Sequence, residues 1–378
     1  MNTLEKYFAR EIFRSVLFVL LAFVALLTFF DIVNEVKIVG QGGYSLSNAL
    51  YFVMLGIPGY VYEYIPLSAL IGSIFVMAQF ASRSEFTIMR VSGFSTLNAV
   101  IMLLKVGVIL VVLTFIFGEY IAPLTFKLGE KYKISLTAGV HQQEFQSGLW
   151  TKDLIRADGD QGAVIGSRFL NVHEVSPTGK LIGVKIYELN SQFLMTKQVF
   201  ASYADYQGDS RWRLSQVEEI DFPASTADLD DRPVVIKHLE SMELISEITP
   251  TILIASSADN DTDRMSATDL AVYAKHLTEN KQGAEKFEIA FWKKIIYPFV
   301  VFVMLALALP FAYLHSRSGG VSLKIFSGIM IGVSFYLLNS VFSHIGLLNT
   351  WTPFVTAILP SSLYLMAAMI MLWWVEKN

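Results

Sequence analysis

The residue types that carry most enzyme chemistry are present in this 378-residue chain, but they lack the spacing that such chemistry requires. The six histidines show neither His-x-x-x-His nor His-Glu-x-x-His, the spacings that place two metal ligands on one helix face. No serine lies in Gly-x-Ser-x-Gly, no Gly-x-x-x-x-Gly-Lys-Ser/Thr phosphate cradle occurs, and there is no cysteine for thiolate or disulfide chemistry. We therefore predict no catalytic residue and no metal or cofactor bound by this chain.

A short polar stretch between two apolar runs has the spacing for docking a partner. It predicts an amphipathic helix with Phe86, Met89, Arg90 and Val91 along one side, closed by Gly93. Glu85 in the first turn interacts favourably with the helix dipole and offers a carboxylate to an arginine of a partner. The alternative is an ordinary interfacial helix with a charged cap. The candidate docking residues are Arg83, Ser84, Glu85, Phe86, Met89, Arg90 and Gly93.

The composition shows which kind of protein must position this segment. Hydrophobic residues make up 53% of the chain, charged residues 16%, and the mean hydropathy is +0.49, well outside the range of soluble globular proteins. Charge is concentrated between Leu124 and Arg264, which hold 14 basic and 21 acidic residues. The net charge of −4 gives no basic surface for nucleic acid. The sequence therefore predicts a membrane protein with one water-facing domain.

Six apolar segments are long enough to cross a bilayer, which needs about 20 residues each. They lie at about Ser15–Val36, Glu63–Ala81, Asn98–Tyr120, Lys294–Arg317, and twice within Ile325–Val375, where a turn at Leu348–Pro353 divides the run. Lys and Arg gather at one set of ends, while the opposite loops, about Ile38–Tyr62 and Gly346–Pro353, carry none. Because positive residues resist translocation, both termini are predicted to be cytoplasmic and the domain between spans three and four to be exported.

The exported region shows β-type runs separated by turn signals, which predicts an all-β sandwich or open barrel. The runs are Gly162–Asn171, Leu181–Leu189, Phe193–Tyr206, Arg211–Ile220 and Pro233–Ile245. Within Leu181–Tyr187 and Val234–Leu239 both faces are apolar, which fits either a two-layer core or an apolar trough for an acyl chain. Ser266–Asp269 then predicts a helix N-terminus leading to about Gln282.

Several motifs resemble the lipopolysaccharide export permeases LptF and LptG. They are Ser84-Glu85 followed by Met89 and Ser92-Gly93-Phe94, and Gly118-Glu119-Tyr120-Ile121-Ala122-Pro123 at the end of span three. Ser147–Asp153 and Arg211–Leu214 are more similar to LptG than to LptF. The resemblance covers essentially the whole chain.

The resemblance implies a non-catalytic subunit of an ABC transporter that extracts lipopolysaccharide from the Gram-negative inner membrane and passes it to a periplasmic bridge. Residues 1–123 would form spans one to three with the coupling helix at about 83–93, residues 124–265 a periplasmic β-jellyroll-like domain, and residues 266–378 a connecting helix and spans four to six. The implied partners are an LptF-type permease, an LptB-type ATPase dimer that holds ATP and Mg²⁺, and an LptC-type membrane-anchored bridge protein.

The resemblance also implies a lateral gate lined by spans one and five. The candidate substrate-path residues are Phe30, Lys37, Gly328, Gly332 and Tyr336. Lys37 suits a lipid phosphate, although acidic Asp31 and Glu35 lie about one turn below it and a snorkelling lysine is the alternative. Gly328 and Gly332 form Gly-x-x-x-Gly, which is also an ordinary helix-packing motif.

Two other functions remain open from the sequence. A membrane-anchored structural or sensory protein would use its β-domain to bind an envelope partner and would hold no lipid between its spans. A secondary transporter is less favoured, because inverted repeats, broken midplane helices and buried ionisable pairs are not evident in the sequence. The sequence does not distinguish lipopolysaccharide from lipooligosaccharide.

Overall fold

The computed structural model describes most of the chain, with short gaps at loops. The described residues are 3–40, 44–91, 93, 95–137, 148–157, 162–176, 180–222, 234–257, 262–313 and 321–377. The helices are α1 Thr3–Val36, α2 Leu46–Ser82, α3 Glu85–Val91, α4 Thr96–Ile116, α5 Ala122–Thr137, α6 Pro250–Ser257, α7 Ala267–Glu279, α8 Glu285–Ala308, α9 Val321–Leu348 and α10 Pro353–Lys377. The strands are β1 Leu149–Arg156, β2 Val164–Val175, β3 Leu181–Asn190, β4 Met195–Gly208, β5 Arg211–Asp221 and β6 Val235–Ile245.

Six helices are long and apolar enough to cross a membrane, which confirms the predicted number of spans. Three of them begin well before the expected residue, and the helix of span one already begins at Thr3 rather than at about Ser15. The helix of span two begins at Leu46, so most of the predicted loop Ile38–Tyr62 is helical, and span four begins at Glu285 rather than near Lys294. A crossing needs only about 20 apolar residues, so the sequence placed the span at the apolar run from Glu63, whereas the helix itself has 37 residues. The hydroxyl of Ser45 caps α2 by accepting the N–H of Asn48 at 3.4 Å.

Helix α2 is the centre of the bundle, because nearly every residue from Ile65 to Phe80 is buried. Helices α1, α8 and α9 pack around it. Helices α1 and α2 are in backbone contact at Gly72, where an added Cβ would lie 2.7 Å from the backbone nitrogen of Val16 on α1. The outward sides of α1 and α9 remain exposed and apolar, as at Phe18 and Met330. These two helices therefore offer uncovered surfaces to lipid or to another protein.

The inserted domain, here called the β-unit, contains a single six-stranded antiparallel sheet whose strands lie in sequence order. The fold class, a six-span helical membrane protein with an inserted all-β domain, is confirmed; strand β1 had no separate prediction. One face of the sheet packs on the connecting helices: Ile186 and Trp212 share a core with Leu270 of α7 and Phe287 of α8.

The two sequence runs with apolar residues on both faces differ in their burial. In β3, Gly183 adopts a φ of +65°, and Leu181 and Val184, three residues apart, both lie in the core. In β6, by contrast, Val235, Ile236 and Leu239 are exposed. One face of β3 therefore lies in a core that the sheet shares with α7 and α8 rather than with a second sheet, and the interpretation as core is wrong for β6.

A buried polar cluster fixes the end of the sheet nearest the helices. The guanidinium of Arg168 contacts Asp153 at 3.4 Å and Glu188 at 2.8 Å, and donates to the carbonyl of Ile245 at 2.8 Å. This one side chain joins four strands. On the adjacent helix α7, burial lowers the pKa of His276 below its ordinary value, although the charge of Asp153 opposes that shift.

Candidate functional site

The predicted docking segment forms α3, a seven-residue helix at the end of the bundle opposite the β-unit. Gly93 follows it with a φ of +89°, the left-handed conformation expected of a residue that closes a helix. Glu85 is the first residue of the helix, as predicted, and its carboxylate is partly exposed. It accepts a hydrogen bond from the hydroxyl of Tyr7 on α1 at 3.3 Å and lies 3.8 Å from the guanidinium of Arg83.

The faces of α3 differ from the prediction. Met89 is only 8% exposed and packs toward the bundle, whereas Val91 is 86% exposed, so the two do not share a side. Ile88, which is 63% exposed, lies one turn before Val91 and forms an apolar pair with it. The sequence reasoning missed Ile88, and the side chains of Phe86 and Arg90 lie outside the described residues. Next to a carboxylate, an exposed aliphatic pair is suited to a protein partner.

A cavity of about 780 Å³ lies at the other end of the bundle and is here called the β-side cavity. Helices α1, α2, α5, α8 and α9 and the short segment Thr262–Arg264 line it. Four basic side chains line it, Arg264, Lys286, Lys293 and Lys294, together with four acidic ones, Asp31, Glu35, Glu63 and Asp263. The cavity therefore offers cationic and hydrogen-bonding groups directly beside apolar membrane helices.

The basic residues at the start of α8 were not predicted as site residues. Lys294 is buried; its ammonium donates to the carbonyl of Asp263 at 2.9 Å and lies 4.3 Å from the ring centre of Tyr62. Lysines at an end predicted to be exported run against the usual distribution of positive charge, and that was a signal available in the sequence. Lysine and arginine are also the residues that proteins use to bind phosphate.

Tyr336 is the only predicted gate residue among those lining this cavity. Its hydroxyl donates to the carbonyl of Glu63 at 2.5 Å and lies 2.9 Å from the hydroxyl of Tyr297, which also donates to that carbonyl. Tyr336 stacks on Tyr64 with ring centres 6.2 Å apart. Helix α9 is thus attached to α2 at the cavity wall.

Phe30 on the exposed side of α1, and Lys37 in the turn that follows α1, lie outside the cavity. The ammonium of Lys37 donates only locally, to Asn34 at 3.0 Å. The two nearby carboxylates face inward: Asp31 accepts the hydroxyl of Tyr60 at 2.5 Å, and Glu35 lies 2.9 Å from the ammonium of Lys133. The acidic residues therefore do not compete for Lys37, which leaves it free to meet an anion.

Gly328 and Gly332 are buried against α2 within this chain. An added Cβ at Gly328 would lie 2.6 Å from Ile74, and at Gly332 it would lie 2.0 Å from Leu67. This contact favours the packing interpretation of Gly-x-x-x-Gly. Their role in a gate stays a prediction. Across the ranges that the structure describes, no three His, Asp or Glu side chains converge in a group able to hold a metal ion.

Comparison with known proteins assigns the fold to a family. Residues 6–374 match the model of the lipopolysaccharide export system permease LptF/LptG. The chain belongs to this family. It is 28% identical to the lipopolysaccharide export system permease protein LptG of Escherichia coli strain K12, over 97% of both chains. It is 30% identical to the protein of the same name from Haemophilus influenzae strain Rd, over 99% of this chain and 98% of that protein.

Membership in the LptF/LptG family confirms the resemblance seen in the sequence. The chain is a permease subunit of the lipopolysaccharide export ABC transporter and a multi-pass protein of the inner membrane. Its non-catalytic role agrees with the family's description as a permease.

Proposed function

We propose that this chain is the LptG-type half of the exporter, paired with an LptF-type permease, seated on an LptB-type ATPase dimer and working beside an LptC-type bridge protein. Residues 1–123 and 266–378 form the membrane unit together with α5, because the third membrane helix continues to Lys133; the rest of residues 124–265 forms the periplasmic domain. Both termini and α3 face the cytoplasm. ATP and Mg²⁺ bind to the ATPase partner, and this chain binds no cofactor.

The observation that carries this proposal is the β-side cavity, since it joins phosphate-binding chemistry to open apolar helix surfaces. Exposing all the acyl chains of a lipid with roughly 50 methylenes to water would cost on the order of 40 kcal/mol of free energy, at about 0.8 kcal/mol for each methylene. The acyl chains must therefore stay against apolar surface, which the outward faces of α1 and α9 provide. The basic residues at the cavity receive the phosphorylated head group.

In this proposal the gate residues divide their roles by position. Phe30 and the exposed side of α1 contact acyl chains, while Lys37 contacts a phosphate at the periplasmic end. Tyr336 lies on the part of α9 that lines the cavity, between the exposed face of that helix and the basic residues. Gly328 and Gly332 hold α9 close to α2, so that changes in α2 reach the gate helix.

Photo-crosslinking tests the substrate path. A benzophenone amino acid at Tyr336 or Phe30 is expected to capture lipopolysaccharide in native membranes, because both positions border the proposed path. Phe299 is the matched control, since it is an exposed aromatic residue on α8 of the same bundle. Capture at all three positions alike, or at none, would exclude the proposed lipid path along α1 and α9.

A charge reversal tests the docking helix. The Glu85→Arg variant is expected to weaken co-purification of the LptB-type ATPase by more than tenfold, because loss of a charge-assisted contact and the new repulsion together exceed about 1.4 kcal/mol. Glu11→Arg makes the same change of charge on α1, near the same end of the bundle, and should leave assembly intact. The readout is the ATPase retained on the affinity-purified permease, followed by its ATP turnover. Unchanged assembly with Glu85→Arg would exclude α3 as the docking element.

A further inference from the structure

The Gly118–Pro123 motif has no part in the function proposed so far, yet it forms an unusual element. Residues Phe117–Ile121 form a π-helical turn between α4 and α5. Pro123 explains the turn, because it has no N–H to donate and its ring would clash with the carbonyl four residues earlier in a regular α-helix. Gly118 is needed in the same turn, since an added Cβ would lie 2.4 Å from the ring of Tyr62. Such turns are frequent at functional sites.

The π-helical turn presents the carboxylate of Glu119 to the first residues of α7. One carboxylate oxygen accepts the backbone N–H of Ala267 at 2.8 Å. The other accepts the backbone N–H and the hydroxyl of Thr268, both at 3.3 Å. These amides belong to the first helical turn, which has no acceptor inside the helix and carries the positive end of the helix dipole. Glu119 therefore binds α7 from a membrane span, 148 residues away in sequence.

Helix α7 in turn holds the β-unit. Its buried side includes Leu270, Tyr273 and Leu277, which lie in the same core as the sheet. At its far end, the ammonium of Lys152 on β1 donates to the carbonyl of Asn280 at 3.1 Å. A continuous set of contacts thus leads from span three through Glu119 and α7 to the first strand of the sheet.

We propose that Glu119 is a positioning residue that fixes α7 to span three, so that the β-unit follows movements of the membrane unit during transport. The role rests on the proposed export function, because it supposes that lipid passes from the membrane cavity to the β-unit. Glu119 touches no substrate. It keeps the exit of the cavity aligned with the sheet. Without Glu119, ATP turnover continues but less lipid is delivered.

Hydrogen exchange measures this contact directly in the full chain. The Glu119→Ala variant should exchange the amide hydrogens of Ala267 and Thr268 at least tenfold faster than the unmodified chain, while amides in the middle of α2 keep their protection. Glu119→Gln, which keeps an acceptor but loses the charge, should lie between the two. Tyr120→Ala is the matched control, because Tyr120 is exposed in the same π-helical turn. Unchanged exchange at Ala267 and Thr268 would overturn the proposal.

Transport and rescue distinguish positioning from simple stability. In the assembled transporter, Glu119→Ala should release several-fold less lipopolysaccharide per ATP hydrolysed, with basal ATP turnover unchanged.

Lys127 and Asp269, whose side chains form an ion pair at 2.7 Å across the same two helices, can be changed to cysteine and bridged with a short bismaleimide. The chain has no native cysteine to compete. In the Glu119→Ala background, bridging should restore the amount of lipopolysaccharide released per ATP hydrolysed. If it did not, the proposed role of Glu119 in positioning α7 would be overturned. An unmodified chain that assembles but exports no lipid would refute the export function itself, while the exchange experiment would still report on the Glu119 contact.

Discussion

Replacing Trp212 by alanine is expected to lower the free energy of unfolding of the β-unit by about 3–5 kcal/mol. Trp212 on β5 is 1% exposed, its indole N–H donates to the carbonyl of Ile248 at 2.7 Å, and its ring lies 5.0 Å from that of Tyr206. The substitution removes the largest fully buried side chain and leaves that carbonyl without its donor. Protection of the β4 and β5 amides against hydrogen exchange, measured in the full chain in detergent, gives the change in free energy.

Trp150 provides the control on the same sheet. It lies on edge strand β1, is 51% exposed and stacks on Tyr187 with ring centres 5.7 Å apart. Trp150→Ala should lower stability by only about 1 kcal/mol, the value of an aromatic pair beyond its burial. Equal losses for the two tryptophans would mean that the β-unit does not depend on the core between its sheet and α7. Export should fall with Trp212→Ala, because a sheet that opens cannot receive the lipid.

The sequence was sufficient for the membrane spans because their signal is local. A run of about 20 apolar residues must be helical in a bilayer, whatever its neighbours. The start of α2 was missed because the length of a bilayer crossing does not limit the length of the helix, and α2 continues back through Pro58 to Leu46. In the sheet, the apolar pattern of a strand does not show which residues tertiary packing buries. Val235 and Leu239 look like core residues but lie on an exposed strand.

The same holds for the docking helix and the β-side cavity, because a local sequence pattern does not show which side chains tertiary packing brings together. Spacing correctly placed Glu85 at the helix start, but it assigned Met89 and Val91 to one side because nothing local indicates which side packs on the bundle. Lys294 was treated only as the boundary of span four and Lys286 had no prediction, although both side chains line the cavity. The contact between Glu119 and α7 joins residues separated by 148 positions, so a single sequence carries no sign of it.

The junction between α1 and α2 connects these separate sites. Helix α1 contributes Tyr7 to the docking helix at one end and Asp31 to the cavity at the other. Any displacement of α1 from α2 therefore changes both the docking surface and the gate. At Gly72 the backbones of the two helices are in direct contact.

Substitution of Gly72 by alanine adds only one methyl group, but it should strongly reduce both stability and export. The added Cβ would lie 2.7 Å from the nitrogen and 2.8 Å from the Cα of Val16, and backbone atoms cannot rotate away. We expect a loss of about 1–3 kcal/mol in the free energy of unfolding, as for other overpacked cores, and loss of most export activity as α1 is displaced.

Gly56→Ala is a matched control on the same helix, because no heavy atom lies within 4 Å of its added Cβ. Alanine there should raise the helix stability by about 0.5–1 kcal/mol through reduced backbone entropy of the unfolded chain. Thermal unfolding of the two variants in detergent should therefore move in opposite directions from that of the unmodified protein. If Gly72→Ala were as stable as Gly56→Ala and as active as the unmodified protein, close contact between α1 and α2 would not be required, and α1 could not carry movement from the docking helix to the gate.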